Sequence, residues 1–239
     1  MSKITYIYAR DRKKNIENNT VEAKELYYSF HLFKEDGNDM NVIEYERNNN
    51  SINKFLYFYD RILNKFISIP SYSHQLYSNK NKEIIKNSDY VFLVNEGVGF
   101  SALPMIYNLK KINGPKIILF SMGLLSKKVK KYFKFLHNSF IRFLLKKIDY
   151  VMSSISGLQG LEPTIKVIKF TKKIAIANKE SIICGWNLIQ SQLNKHKTEF
   201  IPVDSEHFSI WYGLKNYKSK DLENIFLTAS GGPFYKTSL

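Results

Sequence analysis

Short apolar runs, separated by stretches of helical period or by polar turns, organise the whole chain. Residues 3–9 (KITYIYA), 41–45, 89–94 (DYVFLV), 116–121 (KIILFS), 149–155, 173–177 (KIAIA), 200–203 and 223–228 (ENIFLT) each have the length and the β-branched or aromatic content of a strand. Helical spacing fills several of the gaps. It predicts helices over 20–33 with Thr20 as cap, 101–111, 160–170, and 181–194 with Ser181 as cap. Residues 47–53 read as an Asn-rich loop, 95–99 (NEGVG) as a small-residue turn, and Gly114-Pro115 as a break. Strand–helix–strand alternation of this kind predicts right-handed crossovers and a largely parallel sheet. The expected class is α/β.

The chain has 239 residues, of which 44% are hydrophobic and 24% charged, a globular composition with enough apolar mass for a core. One cysteine, Cys184, excludes an internal disulfide framework and any multi-cysteine zinc site. No apolar run reaches the length of a membrane span, and the first residues lack the order of a signal peptide, so a cytoplasmic location is expected. The formal charge is +15. Richness in Lys, Asn and Ile together suggests that part of the excess is bulk surface lysine. Residues 110–149 nevertheless concentrate 11 basic side chains against Asp149 alone. Over residues 126–147 these cations alternate with Tyr132, Phe133, Phe135, Phe140 and Phe143. That pattern fits a helix lying on an anionic membrane surface, or a packed helix with a solvated lysine face. No nucleic-acid motif accompanies it, and nucleic acid is not an expected partner.

Chemistry is concentrated after three strands of the second half, where open α/β sheets hold their ligands. Asn178-Lys179-Glu180-Ser181 follows KIAIA at a helix start, where free N–H groups and Lys179 suit an anion. A capped helix start with solvated charges is the plainer reading. Asp204-Ser205-Glu206 follows FIPV. In extended chain its two carboxylates face one side and could share Mg²⁺ or Mn²⁺, with His207 on the other. Thr228–Phe234 (TASGGPF) sets the Ser230 hydroxyl beside two glycines, which suits a phosphate or sugar oxygen or a simple turn.

The runs IAIANKES, IPVDSEH and LTASGGPF, in this order and spacing, resemble 1-deoxy-D-xylulose-5-phosphate reductoisomerases, and GLQGLEPT (157–164) resembles the segment that precedes them. The resemblance covers about residues 149–239. It implies an NADPH-dependent and Mn²⁺- or Mg²⁺-dependent enzyme that rearranges and reduces 1-deoxy-D-xylulose 5-phosphate to 2-C-methyl-D-erythritol 4-phosphate. By motif, Asn178 and Glu180 would touch the cofactor. Lys179, Ser205, Glu206 and Ser230 would touch the substrate, with Lys179 and Glu206 catalytic, and Asp204 and Glu206 would bind the metal. A homodimer stays open as a further partner. Two features depart from the family. KITYIYARDRKKN has no glycine where a Gly-rich cofactor fingerprint is expected, and the family's third metal carboxylate lies downstream of the last motif.

The run DYVFLVNEGVGFSALPMIYNLKKINGPKIILFSMGLL resembles instead the N-terminal domain of a GT-B-type glycosyltransferase. The implied organisation is a parallel-sheet, Rossmann-like N-terminal half, residues 1–150, joined to an incomplete α/β reductoisomerase segment, residues 151–239. The alternative function is a membrane-peripheral glycosyltransferase fragment. The chain stops seven residues after Gly232, so it reads as a truncated or chimeric product with its joint near residue 150.

Overall fold

A computed structural model describes residues 1–18, 27–46, 51–109, 114–121, 132, 134–203 and 205–226. Seven strands form one sheet, β1 (Lys3–Ile7), β2 (Asp39–Ile43), β3 (Tyr90–Leu93), β4 (Lys116–Ser121), β5 (Tyr150–Ser153), β6 (Lys173–Ile176) and β7 (Glu199–Pro202). Their order is β2-β1-β3-β4-β5-β6-β7 and every neighbouring pair is parallel. The apolar runs follow from that arrangement, because a parallel strand is covered on both faces. In β1 even Thr5 is fully buried, and its hydroxyl is satisfied by Ser88 Oγ at 2.7 Å. Pro202, which has no N–H to give, stands in β7, beyond which no further strand among the described residues asks for one.

The sheet passes through residue 150 without a break. Ile118 to Ser121 of β4 pair with Tyr150 to Ser153 of β5. The same device starts strands on both sides of that point. Asp89, just before β3, accepts from the Lys3 N–H at 2.8 Å, and Asp149, just before β5, accepts from the Ile117 N–H at 3.1 Å. Each carboxylate takes a backbone donor at the amino edge of the neighbouring strand.

The helices are α1 (Arg12–Glu17), α2 (Phe30–Glu35), α3 (Ser51–Ile62), α4 (Ser73–Leu76), α5 (Asn79–Lys86), α6 (Glu96–Ile106), α7 (Lys134–Leu145), α8 (Leu161–Ile168), α9 (Lys179–His196) and α10 (Ser205–Leu214). A π-helical turn, Leu63–Ile67, extends α3. Several differ from the sequence expectation, each for a local reason. The expected turn at 95–99 is the start of α6. Asn95 caps it through the Val98 N–H, and Gly99 sits where a Cβ would press on Leu144 and Leu119 at 3.1 and 3.3 Å. That glycine marks a close approach of helix to sheet rather than a loop. Residues 51–53 of the expected Asn-rich loop are helical, and α3, α4 and α5 carried no recognised signal. Ser181 does not cap α9. Asn178 does, which starts the helix two residues earlier. Residues 223–226 form no strand, and Phe226 is 90% exposed. The expected Thr20 cap lies outside the described residues.

The core is unusually rich in phenols. Tyr6 and Tyr8 are fully buried and hand their hydroxyls to the Tyr28 and Tyr27 carbonyls. Burial raises both of these phenols above the ordinary value near 10, and pushes those of Tyr45 and Tyr59 up to about 12. A phenol held neutral by the fold and free to ionise once unfolded stabilises fully below pH ~10, and its contribution is lost as pH climbs through the folded value. The urea midpoint is therefore expected to fall steeply from pH ~10 to ~12. Tyr45→Phe with Tyr59→Phe should flatten that fall, and an unchanged slope would remove these two phenols from the effect.

Candidate functional site

Strands β6 and β7 are neighbours, and Ile176 pairs with Pro202. Each is followed by a helix at the same offset. Helix α9 begins three residues after Ile176, and α10 begins three residues after Pro202. Two helix N-termini thus lie side by side at the carboxyl edge of the sheet. Their unpaired N–H groups and dipoles make this edge attractive to anions. Glu180 and Glu206 hold the second position of their helices, and Lys179 opens α9 exposed to solvent. From Ser205 onward the chain is helical, so the extended geometry expected for the 204–206 segment does not continue through Glu206. Asp204, the Ser205 side chain and Ser230 lie outside the described residues.

Asn178 is held by the fold at both ends of its amide. Its Oδ1 accepts from the Ser181 N–H at 2.6 Å, while its Nδ2 donates to the Gly157 carbonyl at 2.8 Å and to the Ile155 carbonyl. The side chain is buried, and it ties the loop after β5 to the start of α9. The same loop is closed by a second buried contact, Ser153 Oγ to Thr164 Oγ1 at 2.7 Å, with Thr164 also donating to the Gly160 carbonyl at 2.7 Å. Ser181 Oγ, fully buried one turn into α9, has no hydrogen-bond partner among the described residues.

These observations test what the edge could hold. Hard carboxylate oxygens on Asp204 and Glu206 are the right donors for Mg²⁺ or Mn²⁺. Among the described residues no group of three or more His, Cys, Asp or Glu converges as a metal cage. For a dinucleotide, Lys179, Glu180 and the orphaned Ser181 hydroxyl have spare capacity. The Asn178 NH2 has none without breaking its bonds to the Ile155 and Gly157 carbonyls, and its Oδ1 is buried.

A second polar cluster, which sequence reading missed, lies on α3 and α4. Asp60, 2% exposed, accepts from Ser71 Oγ at 2.6 Å and from His74 Nδ1 at 2.8 Å. Its signal was an acid on the buried helical stripe Asn53, Leu56, Asp60, Leu63, Ile67. The expected membrane-facing stretch 126–147 is described only in part. Within α7, His137, Ile141, Leu144 and Leu145 face the core, while Phe135 and Phe143 reach solvent. No described helix is long and apolar enough to cross a membrane.

Comparison with known proteins finds matches to parts of the second half. The family model "1-deoxy-D-xylulose 5-phosphate reductoisomerase" matches residues 124–185, and the model of that enzyme's C-terminal domain matches residues 200–239. A curated 1-deoxy-D-xylulose 5-phosphate reductoisomerase from Pelagibacter ubique (strain HTCC1062) is 67% identical over 93 residues, which is 39% of this chain and 24% of that protein. One from Prosthecochloris aestuarii is 47% identical over 89 residues, 37% of this chain and 23% of that protein. The chain thus matches about a quarter of the length of these curated relatives. A solved structure of the Zymomonas mobilis reductoisomerase in complex with NADPH aligns with all of this chain and 48% of its own, at 18% identity and a TM-score of 0.40.

Proposed function

We propose, from the premise that residues 124–185 and 200–239 are reductoisomerase sequence, that this chain carries the central ligand-binding edge of a 1-deoxy-D-xylulose-5-phosphate reductoisomerase. The observation that supports the reading is the position of Lys179, Glu180 and Glu206 at the starts of α9 and α10, the helices that follow the adjacent strands β6 and β7. Lys179 neutralises an anionic substrate group above the α9 N-terminus. Asp204 and Glu206 would hold Mg²⁺ or Mn²⁺, Ser205 and Ser230 would hold substrate oxygens, and Glu180 would meet NADPH. Asn178 serves the same site from beneath by fixing the 155–157 loop against the start of α9. When bound, the ion supplies Lewis-acid polarisation of the ketose oxygens and NADPH supplies the hydride.

The test is direct. The full chain mixed with NADPH, Mn²⁺ and 1-deoxy-D-xylulose 5-phosphate should consume NADPH absorbance, and no loss at high protein concentration would overturn catalysis by this chain. Mn²⁺ binding should also raise the melting temperature by mass action. Asp204→Asn removes one charged oxygen ligand and should cut that rise by more than half. An unchanged rise removes Asp204 from the metal site.

A second reading concerns residues 1–150 as a membrane-peripheral glycosyltransferase fragment. The exposure of Tyr132, Phe135 and Phe143 close in sequence to Lys134 and Arg142 supports its membrane contact alone, since these residues fall within the reductoisomerase match at 124–185. Flotation with anionic but not neutral liposomes is the expected result under that reading, and its absence would remove it.

A further inference from the structure

The geometry points to a separate small-molecule site beneath α3. We propose that a cavity of about 350 Å³, bounded by Asp60, Arg61, Lys65, Ser71, Tyr72 and His74, binds a phosphorylated compound bearing a free hydroxyl. The inference does not rest on the reductoisomerase reading. Arg10, which follows β1, reaches this cluster, whereas the motifs above follow β6 and β7. Strands β1 and β6 are four spacings apart, or about 20 Å.

A carboxylate on the buried face of a helix is costly unless several donors surround it. Asp60 has three, namely Ser71 Oγ at 2.6 Å, the His74 backbone N–H at 3.0 Å and His74 Nδ1 at 2.8 Å. The Asp60 carboxylate accepts from His74 Nδ1, and the neutral tautomer with its proton on Nδ1 leaves Nε2 as an acceptor. The partner on that side agrees. Arg10 Nη2 donates to Gln75 Oε1 at 3.2 Å, which turns the Gln75 amide nitrogen toward His74 Nε2, also at 3.2 Å. A single directed chain therefore runs from Arg10 through Gln75 and His74 to Asp60. It ends in a fixed imidazole whose basic nitrogen is held only by a long, exchangeable amide contact.

A purely structural ion pair would need none of this orientation. The His74 side chain is 18% exposed and lines the cavity. A ligand hydroxyl replacing the Gln75 amide would find a pre-oriented acceptor. The cavity also supplies the cations that a phosphate needs. Arg61 and Lys65 are one helical turn apart and solvent-exposed, and no described carboxylate pairs with either. The Arg61 guanidinium is steadied over the Tyr57 ring at 6.0 Å. Asp60, shielded by its three donors and buried, leaves the mouth of the cavity positive.

Two sources could present this chemistry, a soluble polyol phosphate or a lipid headgroup. The outer stripe of α3, with Ile52, Phe55 and Phe58 exposed, keeps the second open. Titration of the full chain with glycerol 3-phosphate, inorganic phosphate and glycerol, followed by calorimetry and by the His74 ring resonances, separates the parts. Glycerol 3-phosphate is expected to bind saturably and to move the His74 signals. Arg61→Gln with Lys65→Gln, both surface changes, should abolish binding of both phosphates. His74→Gln should weaken glycerol 3-phosphate about tenfold, one hydrogen bond's worth, and leave inorganic phosphate unchanged. Binding only to vesicles containing phosphatidylglycerol, with the same dependence on these variants, would assign the lipid headgroup. Absence of binding in every arm, or binding indifferent to Arg61, Lys65 and His74, overturns the proposal.

Discussion

Replacing Asn178 with Ala is expected to destabilise the protein by about 3 kcal/mol, because one side chain both caps a helix and satisfies two buried carbonyls. Loss of an N-cap alone costs about 1 kcal/mol. The remainder comes from the Ile155 and Gly157 carbonyls, which would be left without their donor in a place water does not easily reach. Asn178→Asp separates the two contributions. It keeps the acceptor for the Ser181 N–H, but turns the donor into a second acceptor facing two carbonyls. Its cost should match or exceed that of the alanine variant. Urea denaturation of the three proteins is the measurement. A loss below about 1 kcal/mol for Asn178→Ala would mean that only the cap matters and that the loop after β5 holds itself. The outcome bears on function, since a defect seen first in stability marks Asn178 as a residue that positions the site.

Gly160→Ala is expected to be nearly as damaging, by about 2–4 kcal/mol, through collision with the same tie. A methyl group there would lie 2.5 Å from Asn178 Nδ2 and 2.7 Å from the Ile155 carbonyl oxygen. Neither can withdraw without breaking the hydrogen bond between them. The two substitutions should therefore fail to add. In an Asn178→Ala background only Ile155 still stands against the methyl, and its carbonyl is no longer held by a donor and can turn aside, so Gly160→Ala should cost less than it does alone. Additive losses in that double-mutant cycle would show that the glycine and the asparagine act on separate parts of the structure.

Much of the sheet was legible in the sequence because parallel strands advertise themselves. KITYIYA is buried on both faces, DYVFLV, KIILFS and KIAIA are buried on one face and partly buried on the other, and all four read as unbroken apolar runs. The run ENIFLT has the same look, yet its described residues form no strand, since a strand exists only where a neighbour offers its hydrogen bonds. Helix starts were harder to read. Both Asn95 and Asn178 are caps, and each lies upstream of the residue at which helical spacing becomes visible. The NKES and DSE motifs were found in sequence, and β6 pairs with β7 so that the helix starts carrying Lys179, Glu180 and Glu206 follow adjacent strands. Asp60, Ser71 and His74 escaped notice because their meaning depends on the turn that folds α4 back on α3, and α3 itself puts aromatic residues outward and an acid inward.

The uninterrupted pairing of β4 with β5 has a consequence for what a sheet of this kind tolerates at that point. Strand-to-strand bonds in a parallel sheet are made by backbone groups, which are the same whatever the side chains. A joint between them asks only that each side supply apolar residues at matching heights and an acid to receive the neighbouring amide, as Asp89 and Asp149 both do. Units of unrelated descent can therefore be exchanged at this boundary much as bricks of one gauge are laid in a common course, and the wall stands before any new chemistry has been selected.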